Sequence, residues 1–208
     1  MRDQVHIRLT LTRGVKVTSG MDPRLNQSGP TLIVLAEFKP PVYDKSGIRL
    51  VTSSYRRPGP EVLDARIHHN NLLNSILAKI EATAAGVDDA LMLDSRGMVA
   101  ETNATNVFIV RKGVAATSLP VACPEGITRG AVLELCQEFD IPHEQRDITL
   151  EEIYRADEAF CTGTMGELAP IVELDARRIG NRDERPVFER LSELFRALTA
   201  TSGTQVVD

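Results

Sequence analysis

Two histidines and two asparagines, His68 to Asn71, stand directly before an amphipathic run in LDARIHHNNLLNSILAKIEA. Imidazoles ligate metals or move protons near neutral pH. Adjacent histidines, however, point in different directions on a helix or a strand, metal pairs on a helix need spacing nearer four residues, and no third ligand lies nearby. The pair therefore reads as lining the turn into the helix, with no metal site. Three other segments could hold an anion or a charged ring. In PEGITRGAVLEL a glycine leads straight into a helix whose second and third residues are Ile127 and Thr128. Free N–H groups and a hydroxyl there make a phosphate seat, unless the threonine is only a cap. In TGTMGE, Thr162, Gly163 and Thr164 follow a strand, where small hydroxyl residues bind phosphate oxygens or simply turn the chain. In MVAETNATN, Glu101 also follows a strand. Its carboxylate either pairs with a protonated ring nitrogen or is solvated.

Composition limits the partners. With 208 residues and 22.9 kDa the chain can bury a proper core, and its net charge of -5 argues against nucleic acid or an anionic membrane. No apolar run approaches membrane-spanning length and MRDQVHIR is not a signal peptide, so the expected compartment is the cytoplasm. Cys123, Cys136 and Cys161 are odd in number and lack C-x-x-C spacing, and they read as reduced thiols.

The elements that must position these residues follow from periodicity. VHIRLTLT, TLIVLA and GIRLVTS read as strands, with a long Gly/Pro/Asn/Ser loop over 15–30 that could cover a site. Asn70 or Asn71 is expected to cap a helix whose Leu72, Leu73, Ile76, Leu77, Ile80 and Ala84 share one face, closed by Gly86. A meander follows, with turns at SRG and RKG. A second helix begins near Ile127, a short acidic one near Leu150, and a last one covers Val187 to Leu198. This describes one α+β domain over 1–208 with a mixed, mostly antiparallel sheet.

Taken in order, GVDDALMLDSRGMVAETNATNVFIVRKG, PEGITRGAVLELCQEF and DITLEEIYRADEAFCTGTMGELAPIVELDARRIG resemble the fold-type IV aminotransferases that use pyridoxal phosphate. That family includes branched-chain and D-amino acid aminotransferases and aminodeoxychorismate lyase. The resemblance runs from about His6 to Phe195 and implies a pseudo-barrel sheet with packed helices, the family's large domain, and a homodimer. It implies that Glu101 pairs with the pyridine nitrogen, and that Ile127, Thr128 and Thr164 hold the cofactor phosphate. Asn71 would contact the ring, while Arg24, Thr162 and Gly163 would lie toward substrate. Amino acids and 2-oxo acids would be the substrates, with branched-chain ones the first expectation.

The same resemblance locates a departure. The lysine that binds the cofactor covalently belongs in a D-x-K context, which here is Asp64-Ala65-Arg66. A guanidinium offers no free amine to attack an aldehyde. Lys16, Lys39, Lys45 and Lys112 fall in loops or turns, and Lys79 is expected to snorkel at the rim of its helix. Family members also begin with a small domain that supplies a phosphate-binding arginine, and this reading expects that domain to be absent. The expectation is an impaired aminotransferase or, alternatively, a non-catalytic dimeric relative that holds the cofactor, or another phosphate-bearing small molecule, without a covalent bond.

Overall fold

The computed structural model describes residues 5–40, 42–180 and 184–204. They fall into two compact units, one ending at residue 40 and the other running over 42–204. The physical reason lies in strand pairing: β1 (Val5–Thr12) and β2 (Thr31–Phe38) form a two-stranded antiparallel sheet of their own, from Val5↔Phe38 to Thr12↔Thr31. The loop between them is folded. Asp22 caps a 3-10 turn at Pro23–Leu25 by accepting from the Arg24 N–H, and the Asn26 amide donates to the Gly14 carbonyl at 3.1 Å.

The larger unit contains β3 (Ile48–Thr52), α1 (Leu73–Ala84), β4 (Asp89–Leu93), β5 (Val99–Thr102), β6 (Asn106–Arg111), β7 (Val114–Thr117) and α2 (Ile127–Glu138). It continues with β8 (His143–Gln145), α3 (Leu150–Tyr154), β9 (Glu158–Gly163), β10 (Glu167–Leu174), β11 (Arg177–Arg178) and α4 (Pro186–Thr201). The main sheet runs β5-β4-β3-β10-β9-β6-β7-β8, with β11 paired to β10. Pairings β3–β4, β3–β10 and β7–β8 are parallel and the others antiparallel, so the sheet is mixed and mostly antiparallel as expected. β5 lies at one edge and β6 several strands away, yet only residues 103–105 connect them and Thr102 N–H donates to the Thr105 carbonyl. The sheet must therefore curl, which makes it a half-barrel rather than an open sheet.

One apolar cluster fills the curl from Ile48, Leu50, Leu91, Val107, Ile109, Ile171 and Leu174, closed by Ile148 and Ile153. A second joins β6 and β9 to α2 and α4 around stacked Phe108 and Phe160, whose ring centroids are 5.0 Å apart. The three cysteines are free and buried.

Helix α1 departs from its apolar periodicity. Its buried residues are Ser75, Ala78 and Ala82, of which the two alanines pack with Ala90 and Met92 of β4, while Leu73, Ile76 and Ile80 are exposed. Small side chains let the helix press close to the strand, and the larger ones are left outside. The expected asparagine cap also fails: the N-cap is Leu72, with no side-chain cap bond. Lys79 is an exposed residue, as expected, and its ammonium also meets the buried Asp89 carboxylate at 2.7 Å. No helix among the described residues is long and apolar enough to cross a membrane.

Candidate functional site

The three motif segments meet at the β5–β6 turn. Thr102, next to Glu101, shares a hydroxyl hydrogen bond of 2.8 Å with Thr105. Thr105 lies against Gly163, where a Cβ would come 2.7 Å from its Cγ2. Asn106 pairs across the ladder with Thr162, and its amide donates to the Pro124 carbonyl at 3.1 Å. Gly126 has φ 73°, and a Cβ there would run into Asn106 Oδ1, so only glycine lets the chain turn into α2 at this distance. Buried Arg129 fixes the same turn from behind, donating to Ser118 O at 2.9 Å and Gln145 Oε1 at 2.7 Å.

The start of α2 suits an anion. Its N-cap is Gly126 and it has no side-chain cap bond, so the first-turn amides are free of an internal acceptor. Thr128 lies inside the helix and is not the cap. Ile127 is 88% exposed and Thr164 is also exposed, whereas Thr162 is buried with an unpartnered hydroxyl.

Glu101 is buried at the end of β5, and Arg57 Nη2 lies 2.8 Å from its Oε1. Arg57 Nε donates to Ala122 O at 3.1 Å and Nη1 to Ser75 Oγ at 3.0 Å, while its backbone N–H donates to Leu93 O. It thereby ties β5 to α1, β4 and the loop before α2. Burial pushes the Glu101 carboxyl up to about 7, against the opposing pull of Arg57. Burial also pushes the nearby Cys123 thiol up to about 12, with Glu101 adding to the effect. Arg57, Ala65, His68, His69, Glu101 and Asn103 line a cleft of about 80 Å³, ring-sized and small beside the usual ligand cavity of roughly 300 Å³ or more. A buried carboxylate at the cleft and an uncapped helix start joined to it through the 102–106 turn fit a ring nitrogen and a phosphate, respectively.

The other expected residues are distributed differently. Arg66 is exposed and does not line the cleft, although Ala65 and Ile67 on either side do. Its guanidinium is held by Asp64 at 2.7 Å, and that hydrogen-bonded pairing lowers the Asp64 carboxyl to about 2. Asn71 is not a lining residue either: its backbone N–H donates to His69 Nδ1 at 3.1 Å. Arg24 belongs to the smaller unit and forms a two-point pair with Asp22. The proline-bearing segment with Arg57 gave no chemical signal in the sequence, because the partners of Arg57 are far away in the chain. Among the described residues no cluster of three His, Cys, Asp or Glu could hold a metal.

Residues 2–174 match the family model for amino-transferase class IV. The chain is 55% identical over 207 residues to branched-chain-amino-acid aminotransferase-like protein 2 of Arabidopsis thaliana, covering 99% of this chain and 37% of that protein. It therefore spans little more than a third of that relative. The branched-chain aminotransferase of Thermoproteus uzoniensis with norvaline superposes with TM-score 0.86 at 33% identity, over 93% of this chain and 64% of that one. An aminotransferase from Brucella abortus bound to the cofactor PLP gives TM-score 0.83 at 29% identity, over 95% of this chain and 69% of that one. The half-barrel, the converging motif segments and these matches together establish that the chain belongs to the class IV amino-transferase family.

Proposed function

We propose that this chain holds pyridoxal phosphate without a covalent bond, as a relative of the branched-chain aminotransferases in which amino transfer between an amino acid and a 2-oxo acid is impaired. The observation that carries the reading is the absence of a lysine among the residues lining the cleft. Lys45 pairs with Glu167, Lys79 with Asp89, and Lys112 occupies a tight turn at φ 50°. Lys16 and Lys39 belong to the smaller unit, the first donating to Gly20 O and the second near Glu37.

Each role then falls to a particular group. Glu101 holds a proton at the ring nitrogen, with Arg57 orienting its carboxylate. The Ile127 and Thr128 amides and the Thr128 and Thr164 hydroxyls bind the phosphate. When bound, the cofactor supplies an electron sink for a carbanion on the substrate. Arg66 has no exchangeable neutral amine for moving that carbon's proton. Branched-chain amino acids are the proposed substrate class because the matched relatives carry that name.

The test is an absorption titration with pyridoxal 5'-phosphate followed by borohydride. Binding that reverses on dialysis, with no label fixed by borohydride, is expected. Arg66→Lys should gain a fixed label. A label fixed in the unaltered chain and mapped to Lys79 or Lys45 overturns the reading.

A further inference from the structure

We infer that His69 is a ligand-binding residue of the cleft, donating a hydrogen bond from Nε2 to the phenolic oxygen of the pyridine ring. The inference rests on the reading that the cleft takes this cofactor.

The tautomer is set within the chain. A backbone N–H can only donate, so the bond from Asn71 N to His69 Nδ1, 3.1 Å long, makes Nδ1 the acceptor. In a neutral imidazole the proton then resides on Nε2. His69 is half-buried and lines the cleft with Arg57 and Glu101, whereas Asn71 does not. The Asn71 amide thus fixes Nε2 as the donor of a residue that lines the cleft.

The other polar groups of the ligand are already matched. The ring nitrogen goes to Glu101 at the end of β5, and the phosphate to the start of α2 and to Thr164 after β9. Ala65, Ile67, His68, His69 and Leu72 line the cleft from a third segment, to which we assign what remains: the phenolic oxygen and the aldehyde. Arg66 lies outside the cleft and Asn71 makes its contact through its backbone, so His69 is the fixed N–H donor on that segment. An ionised phenolic oxygen is the stronger acceptor of the two. His68, also lining the cleft, has no comparable bond to set its tautomer among the described residues.

The experiment compares pyridoxal 5'-phosphate with its 3-O-methyl ether, whose oxygen cannot ionise. Affinities are measured for the unaltered chain, His69→Ala and His69→Gln, and 15N spectra of the imidazoles are recorded with and without each probe. We expect an Nε2-protonated His69 whose Nε2 resonance moves with pyridoxal 5'-phosphate but not with the ether. His69→Ala should weaken the first probe about tenfold and leave the second unchanged, and His69→Gln, which returns an N–H donor, should recover part of the loss. An Nδ1-protonated ring, or equal losses for both probes, overturns the assignment while leaving the cofactor reading intact. If neither probe binds any of the folded proteins, the cofactor reading itself fails, and this inference with it.

Discussion

Arg57 reaches the Glu101 carboxylate at 2.8 Å from a loop more than forty residues earlier in the chain, and both side chains are almost wholly removed from solvent. Removing either partner would leave the other without its ion pair, and an unpaired charge at such a place costs several kcal/mol. Burial still prevails at Glu101, where it lifts the carboxyl from 4.5 to about 7.

That lift fixes the sign of a pH dependence. Between about pH 4.5 and 7 the unfolded chain loses the Glu101 proton while the folded chain keeps it. Stability from this group is full below the lower value and declines as pH rises to the upper one, by roughly 3 kcal/mol, then levels off. Glu101→Gln should flatten this part of the profile by one proton, although the unpaired Arg57 lowers stability throughout. Urea unfolding of both proteins at several pH values between 4 and 8 measures the slopes; identical slopes would show that Glu101 does not carry the shift.

Gly126→Ala tests the turn that delivers the start of α2. The backbone is at φ 73° and the new methyl group would run into Asn106 Oδ1. A loss of about 1–3 kcal/mol is expected from strain and displacement of Asn106. Because the α2 amides move with the turn, affinity for inorganic phosphate should drop in the same variant. Thermal melts and a phosphate titration check the two effects separately, and a variant with wild-type phosphate affinity would detach the α2 start from the anion seat.

The ADE stretch that helped mark the family has a structural role. Asp157 Oδ2 accepts from the Lys112 N–H at 2.6 Å in the β6–β7 turn. Glu158 Oε1 and Oε2 accept from the Val187 and Phe188 N–H groups at 3.1 and 2.8 Å, which caps α4 from strand β9. Glu158→Ala should cost about 1–3 kcal/mol by leaving both amides without an acceptor, and Glu158→Gln, with one carbonyl oxygen left, should cost less. Hydrogen exchange at Val187 and Phe188 provides the local measurement. Unchanged protection there in the alanine variant would assign the capping elsewhere.

These residues also show what could be read along the chain and what could not. Strand positions and turns such as SRG and RKG follow from local alternation and from glycines, and most appear within a residue or two of their expected limits. Glu101, Ile127, Thr128 and Thr164 could be singled out as candidates because each belongs to a short motif with local consequences. Arg57 and Asn106 were not, since their roles arise from distant neighbours brought close by the curl of the sheet. The apolar face of α1 misled for a related reason: periodicity reports amphipathicity but not which face the core takes. Small residues won the contact with β4 because they permit closer packing, and Lys79 pairs with Asp89, whose burial no local pattern announces. The separation of β1 and β2 into their own sheet was equally invisible, since a strand's sequence does not name its partner.

The outward stripe of α1 leads to a last prediction. Leu73, Ile76 and Ile80 recur at helical spacing with 54% or more of their surface exposed, an apolar face of the kind that marks an interaction surface. The homodimer that the family resemblance implies would give it an occupant, a second copy of this chain. Ile76→Lys removes apolar area and adds a charge at the centre of the stripe, yet touches none of Ser75, Ala78 and Ala82 that hold the helix to β4. Light scattering coupled to size exclusion should show the unaltered chain as a dimer and the variant shifted toward monomer, with its far-UV spectrum unchanged. A monomeric unaltered chain at every concentration would rule out the dimer. A dimer that survives Ile76→Lys would place its interface on another face, because a buried lysine charge at a self-paired stripe cannot be accommodated without a partner.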